Sequence, residues 1–186
     1  GYVEAQIEAG LLWAGHPDPR FSELSFQNLL LAAKQNDPRG LFYLARVYIS
    51  GSGTEKSPEK GFTNMLNAAK LGHVEAEYMT ALLYAGGLGT LKNDGKSFAW
   101  MLKAAKQDNA KAQFKIGTYY SSGLGTTKDP KEAFKWILKA AGQGEANAQF
   151  NIGIYYMKGE GTLKDPIKAF KWTLKSAEQG YTDAQY

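Results

Sequence analysis

The stretch from Asn109 to Gly144, NAKAQFKIGTYYSSGLGTTKDPKEAFKWILKAAGQG, decides the fold, because the chain then repeats it. From Glu145 to Gly180 it reads EANAQFNIGIYYMKGEGTLKDPIKAFKWTLKSAEQG, aligned position by position. Outward from this pair the 36-residue register continues. It joins Trp100 to Trp136 and Trp172, and Ala76 to Ala112, Ala148 and Ala184. Tyr48, Tyr84, Tyr120 and Tyr156 share another column, as do Phe62, Phe98, Phe134 and Phe170. A fixed period in this range means a solenoid, whose units bury their apolar faces only by stacking on neighbours.

Within the Asn109–Gly144 unit, Ala112, Ile116, Gly117 and Tyr120 recur at helical spacing. Gly117 aligns with Ala45, Ala81 and Gly153. A glycine inside a helix costs about 1 kcal/mol relative to alanine, so this column implies a helix crossing too close for a larger side chain. Gly123-Leu124-Gly125 then ends the helix, matched by Gly51-Ser52-Gly53, Gly87-Leu88-Gly89 and Gly159-Glu160-Gly161. Ser57, Asn93, Asp129 and Asp165 form a column of N-caps, and proline follows three of them at positions 58, 130 and 166. Ala133, Trp136, Ile137, Ala140 and Ala141 make the apolar stripe of a second helix, roughly Pro130 to Gln143.

The expected architecture is therefore an all-α superhelix, or solenoid, of about five 36-residue helix–loop–helix repeats. The whole chain is read as one array with units 1–36, 37–72, 73–108, 109–144 and 145–180 and a partial unit at 181–186. The first unit is irregular. Val3-Glu4-Ala5 matches Val74-Glu75-Ala76 and Trp13 falls on the tyrosine column, but the loop after Gly15 (His16-Pro17-Asp18-Pro19) is one residue short. Asn64 replaces the tryptophan, and Gly40 and Gly61 replace alanines, in the second unit. Gly1-Tyr2-Val3-Glu4-Ala5-Gln6 parallels Gly180-Tyr181-Thr182-Asp183-Ala184-Gln185, with no polar cap at either end. That reads as a segment cut from a longer array, able to self-associate head to tail.

Ile116-Gly117, Tyr120, Gly123-Leu124-Gly125, Asp129, Glu132-Ala133, Trp136 and Lys139-Ala140-Ala141 together resemble the Sel-one-like repeat family, a relative of the tetratricopeptide repeats. The next unit repeats the pattern with Ile152-Gly153, Tyr156, Gly159-Glu160-Gly161, Asp165, Lys168-Ala169, Trp172 and Lys175-Ser176-Ala177. Tetratricopeptide units are 34 residues long, so they fit this register less well. The resemblance implies a right-handed superhelix of antiparallel helix pairs with the first helices lining the concave side. It also implies a non-enzymatic adaptor that organises protein complexes, often in bacterial envelopes or in host-cell interaction, which favours a periplasmic or secreted bacterial location.

No chemistry-bearing pattern competes with this reading. The sequence has no cysteine, and its two histidines, His16 and His73, carry no ligand or triad spacing around them. Gly51-Ser52-Gly53-Thr54-Glu55-Lys56-Ser57 lacks the spacing of a phosphate-binding loop and recurs elsewhere as Gly-x-Gly, so turn geometry accounts for it. Glu75 and Glu77 lie two apart on a helix and point to different sides. No catalytic residue, metal site or cofactor is expected. No apolar run approaches the roughly 20 residues of a membrane helix.

With the Ile116-Gly117-Tyr120 face packed inward, the concave side receives Arg39, Phe42, Arg46, Tyr78, Met79, Leu82, Lys111, Phe114, Lys115, Phe150, Asn151 and Ile154. Phe42, Tyr78, Phe114, Phe150 and Tyr186 form one aromatic column, read chiefly as stacking between adjacent first helices, or else as a ladder for a docked peptide. The variable neighbours are the specificity candidates, with basic Arg46, Lys111 and Lys115 flanking apolar Met79 and Leu82. The expected partner is a peptide or segment of another protein. Two alternatives stand beside it: an RNA-binding helical repeat, and a weak hydrolase of the β-lactamase-like kind proposed for some relatives. Residues 1–93 carry a net charge of −1 and residues 94–186 a net +5. The excess lysines fall on second helices (Lys103, Lys135, Lys139, Lys171, Lys175) and do not track the groove, which argues against nucleic acid.

Overall fold

The computed structural model describes residues 1–14, 16 and 18–184. Gly15 and Pro17 of the short first loop, and Tyr186 of the aromatic column, lie outside the described residues. The described chain is all helical. Two compact units, residues 1–93 and 94–186, divide it.

The first unit holds α1 (Tyr2–Leu12), α2 (Pro19–Lys34), α3 (Pro38–Ser50), α4 (Pro58–Lys70) and α5 (Val74–Gly86). The second holds α6 (Asp94–Lys106), α7 (Ala110–Ser122), α8 (Pro130–Gly142), α9 (Ala146–Lys158) and α10 (Pro166–Glu178), then a short 3-10 turn at Thr182–Ala184. In each unit every helix packs on the one before it. The short connections make these successive helices antiparallel neighbours.

Side-chain caps set where the second helices begin. Asp129 accepts the backbone N–H groups of Lys131 and Glu132 at 3.0 and 3.1 Å, and Asp165 accepts that of Lys168 at 2.9 Å. Ser57 does the same, more loosely, for Lys60. Such caps satisfy N–H groups that lack an intrahelical partner. The preceding loop is tied to the first helix at its tyrosine: the N–H groups of Ser57, Asp129 and Asp165 donate to the carbonyls of Tyr48, Tyr120 and Tyr156 at 2.8 Å.

Close approach explains the small-residue column. A Cβ at Gly117 would collide with Ile137 Cγ1 on α8. The Gly-x-Gly loop serves the next level of packing. Gly161 sits at φ +67°, and a Cβ there would overlap the Pro130 carbonyl at the start of the previous second helix. The loop beginning at Gly51 has the same contact, Gly53 lying against the Ser22 carbonyl, so this stretch is a packing turn.

The conserved-register aromatics carry the stacking between repeats. Phe26 meets Tyr48 and Phe62 meets Tyr84 in the first unit, edge to face at 5.6 and 5.0 Å between centroids. Phe98 meets Tyr120 and Phe134 meets Tyr156 in the second, both at 5.3 Å and near perpendicular. Such contacts contribute about 0.5–1.5 kcal/mol each beyond area burial. Trp136 is 7% exposed; its indole N–H donates to Glu132 at 3.1 Å, and the Lys139 ammonium lies 4.7 Å from the ring centre. The Lys103–Trp100 and Lys175–Trp172 pairs repeat this cation–π geometry at 4.3 and 4.7 Å.

Candidate functional site

The residues expected to face a partner come from α3 and α5 in the first unit and from α7 and α9 in the second. They differ in how much they expose. Arg39 is exposed but committed: one guanidinium nitrogen donates to Glu4 of α1 at 2.9 Å and another contacts the second carboxylate oxygen. The hydrogen bond from Arg39, more than charge alone, pulls the Glu4 carboxyl below its ordinary range. Arg46 is exposed, forms no ion pair with a described residue, and rests 5.8 Å from the centre of the Phe42 ring. Tyr78, Met79 and Leu82 are half-buried on α5.

In the second unit, Lys111 and Lys115 project from α7 with no ion pair to a described residue. Phe114 and Phe150 are half-buried. Asn151 spends its amide on its own helix, donating to the Asn147 carbonyl at 2.8 Å. Ile154 lines an apolar cleft of about 280 Å³ with Met157, Phe170 and Thr173, where Phe170 is 67% exposed.

The aromatic column packs onto the residue that opens the next first helix. Phe42, only 6% exposed, stacks on the His73 ring at 4.7 Å, and Phe150 meets Tyr181 at 5.4 Å. His73 caps α5: its Nδ1 accepts the Ala76 N–H at 3.2 Å, which requires that nitrogen to be unprotonated. Burial holds its pKa below the ordinary histidine value, against the opposing pull of Glu75.

Two features escaped the sequence reading. One is a buried glutamine seam. Gln113 accepts from Gln143 at 2.8 Å and donates to the Ala105 carbonyl at 3.2 Å, and Gln149 does the same with Gln179 and Ala141. Gln6 and Gln35 form the matching pair in the first unit. The column Gln6, Gln113, Gln149 was visible as a repeat but carried no signal of burial. The other is a cleft of about 290 Å³ between α1, α2 and α3, bounded by Leu11, Leu29 and Val47 with Ser25, Tyr43, Arg46 and Ser50 supplying polar atoms. Comparing Val47 with Tyr119 and Tyr155, its counterparts 72 and 108 residues on, would have found it.

On the second helices, a cleft of about 600 Å³ in the second unit is lined by Trp172 with Lys168, Lys171 and Lys175. Among the described residues no cluster of His, Asp or Glu is placed to hold a metal ion, and no helix is long and apolar enough to cross a membrane.

Comparison with known proteins places this geometry. The Sel1 repeat model matches residues 38–73, 74–109, 110–145 and 146–181. Among solved structures, a protective antigen of uropathogenic Escherichia coli with an SLR fold is similar over the whole chain, at 29% identity and a TM-score of 0.94. A Sel1 repeat protein from Oxalobacter formigenes is 35% identical over the whole chain with a TM-score of 0.88. The present chain spans 40% and 54% of those two structures' own lengths. Cysteine rich protein B of Helicobacter pylori shares the fold at 21% identity and a TM-score of 0.56, over 68% of this chain and 93% of its own. No curated protein matches the chain.

Proposed function

The chain belongs to the Sel1 repeat family, whose members are generally protein-interaction scaffolds, and on that premise we propose that it binds a segment of another protein on the solvent-facing side of its first helices. The observation that carries this reading is the contrast between two kinds of position on those helices. Residues kept in register (the tyrosine column, Gly117 and Gly153, the buried glutamines) are consumed by stacking. Of the positions that vary from repeat to repeat, Arg46 in the first unit and Lys111 and Lys115 in the second are exposed, and Met79, Leu82 and Ile154 are half-buried. Stacking explains the first set and leaves the second for recognition.

The chemistry of the second set suits a segment with acidic groups beside apolar side chains. Arg46, Lys111 and Lys115 form no ion pair with a carboxylate among the described residues, whereas Arg39 is already held by Glu4. Rim charges of this kind chiefly steer encounter and select partners, with apolar anchors supplying most of the affinity. The reading is non-enzymatic, in keeping with what members of this family generally are.

The test is charge reversal. Arg46→Glu and Lys115→Glu, singly and together, are compared with Lys171→Glu on a second helix, using a genuine partner in a titration. Loss of affinity in the first-helix variants with Lys171→Glu unchanged supports the proposal; affinity untouched by both first-helix reversals refutes it.

A further inference from the structure

Two repeats in the second unit fill a space that the first unit leaves open. Tyr119 is 7% exposed, and its hydroxyl shares a hydrogen bond of 2.9 Å with Ser97, which is fully buried 22 residues earlier on α6. Tyr155 is buried at the same position of α9. In the first unit the corresponding residue of α3 is Val47, and the residue 22 positions before it is again a buried serine, Ser25 on α2. The serine is kept and the phenol ring that would reach it is missing. A cleft of about 290 Å³ opens where that ring would lie, with Leu29 and Leu11 as apolar walls and Ser25 among its lining residues. The Ser25 hydroxyl donates to the Gly10 carbonyl, which leaves its oxygen able to accept. Arg46 also lines the cleft and forms no ion pair with a described residue.

We infer that this cleft is an anchor pocket for an aromatic side chain, a tyrosine above all, carried by a partner segment with a carboxylate close to that side chain. The inference rests on the protein-binding reading and names the side chain the first unit takes. The protein's own Tyr119 supplies the template: a ring against the second helix, with its hydroxyl on the buried serine. The partner's ring completes in trans what the second unit completes in cis, and its hydroxyl donates to Ser25. Arg46 at the mouth binds the carboxylate, in the charge-assisted geometry that guanidinium favours. A buried aromatic beside a charged contact is the usual form of an interface hot spot. A phenylalanine would fill the walls but leave the Ser25 oxygen without its donor, so the pocket discriminates in favour of tyrosine.

N-acetyl-L-tyrosine, which joins a phenol to a carboxylate, is the probe. It is titrated into the full chain and followed by amide chemical shifts. The expected result is saturable shifts at Ser25, Leu29 and Val47. Binding should be about tenfold weaker for N-acetyl-L-tyrosine amide and for the Arg46→Gln variant, which matches the loss of one charge-assisted contact. N-acetyl-L-alanine should leave those amides unmoved. Val47→Tyr fills the pocket with the chain's own ring: it should abolish the response and raise the melting temperature, which shows at once that the variant is folded. Absence of binding, shifts centred elsewhere, or a Val47→Tyr protein that binds as before or melts lower overturns the inference. None of these results bears on the wider protein-binding reading, which stands or falls on the charge reversals at Arg46 and Lys115.

Discussion

Replacing each glycine of one Gly-x-Gly loop by alanine separates what the two positions do. Gly159 and Gly161 both sit in left-handed conformations, at φ +72° and +67°. An alanine at either therefore loses about 1–2 kcal/mol to backbone strain. At Gly159 the new methyl group meets only its own loop, with Lys164 N at 3.2 Å and Lys164 Cβ at 3.3 Å, a tight contact that a shift of a few tenths of an ångström in that loop relieves. At Gly161 the methyl group would overlap the carbonyl of Pro130, backbone at the head of α8 that cannot rotate out of the way. Forcing atoms into a packed contact costs about a further 1–3 kcal/mol. Gly159→Ala should thus cost about 1–2 kcal/mol, and Gly161→Ala about 2–5 kcal/mol, on the same two figures. In a protein of this length those losses correspond to melting points lower by roughly 2–8 °C and 4–20 °C. Thermal melts followed by far-ultraviolet circular dichroism give both values in one experiment. Equal losses for the two variants would refute the claim that the second glycine is an inter-repeat contact. A Gly161→Ala protein as stable as the parent would refute it outright.

Two further outcomes follow from the packing. Trp136→Ala should destabilise the chain by about 3–5 kcal/mol, because it removes a buried ring; a melt left unmoved would mean that this face of α8 is not packed. His73 should make stability depend on pH. Its folded pKa lies below the free value of about 6.5, so its contribution is present in full above that value and is lost as pH falls through the lowered one. A His73→Asn variant, with the cap that Asn109 already provides in α7, should show no such loss over that range in melts run at stepped pH; a parent and variant with identical profiles would count against the histidine cap.

The fold was legible because repetition multiplies weak signals. A single Asp-Pro or Gly-x-Gly is an ordinary turn cue, but the same cues at a fixed interval give the helix pairs and their caps. The second-helix stripe was equally plain, since Ala133, Trp136, Ile137, Ala140 and Ala141 are all buried. Legibility ended where contacts run between elements. The Arg39–Glu4 pair joins residues 35 apart, across the one repeat whose loop is short, so the regular period conceals it. Gln113 and Gln149 look like surface residues by type; only partners on neighbouring helix ends make their burial tolerable. The Val47 cleft is a missing side chain, and a gap of that kind shows only when one repeat is laid over another. The first-helix candidates were named as one set, yet Asn151 is spent on its own backbone and Phe42 on His73, leaving Arg46, Lys111 and Lys115 as the open cations.

The most direct measurement is site-specific photo-crosslinking in an extract of the source cells. A photoreactive phenylalanine analogue is placed in turn at Arg46 and Lys115 on first helices, and at Lys135 and Lys171 on second helices. The account predicts discrete adducts to a protein from the first-helix positions, suppressed when the neighbouring charges are reversed, and none from the second-helix positions. Adducts confined to Lys135 and Lys171 would contradict it, and the binding face would then be the lysine–tryptophan side of the repeats.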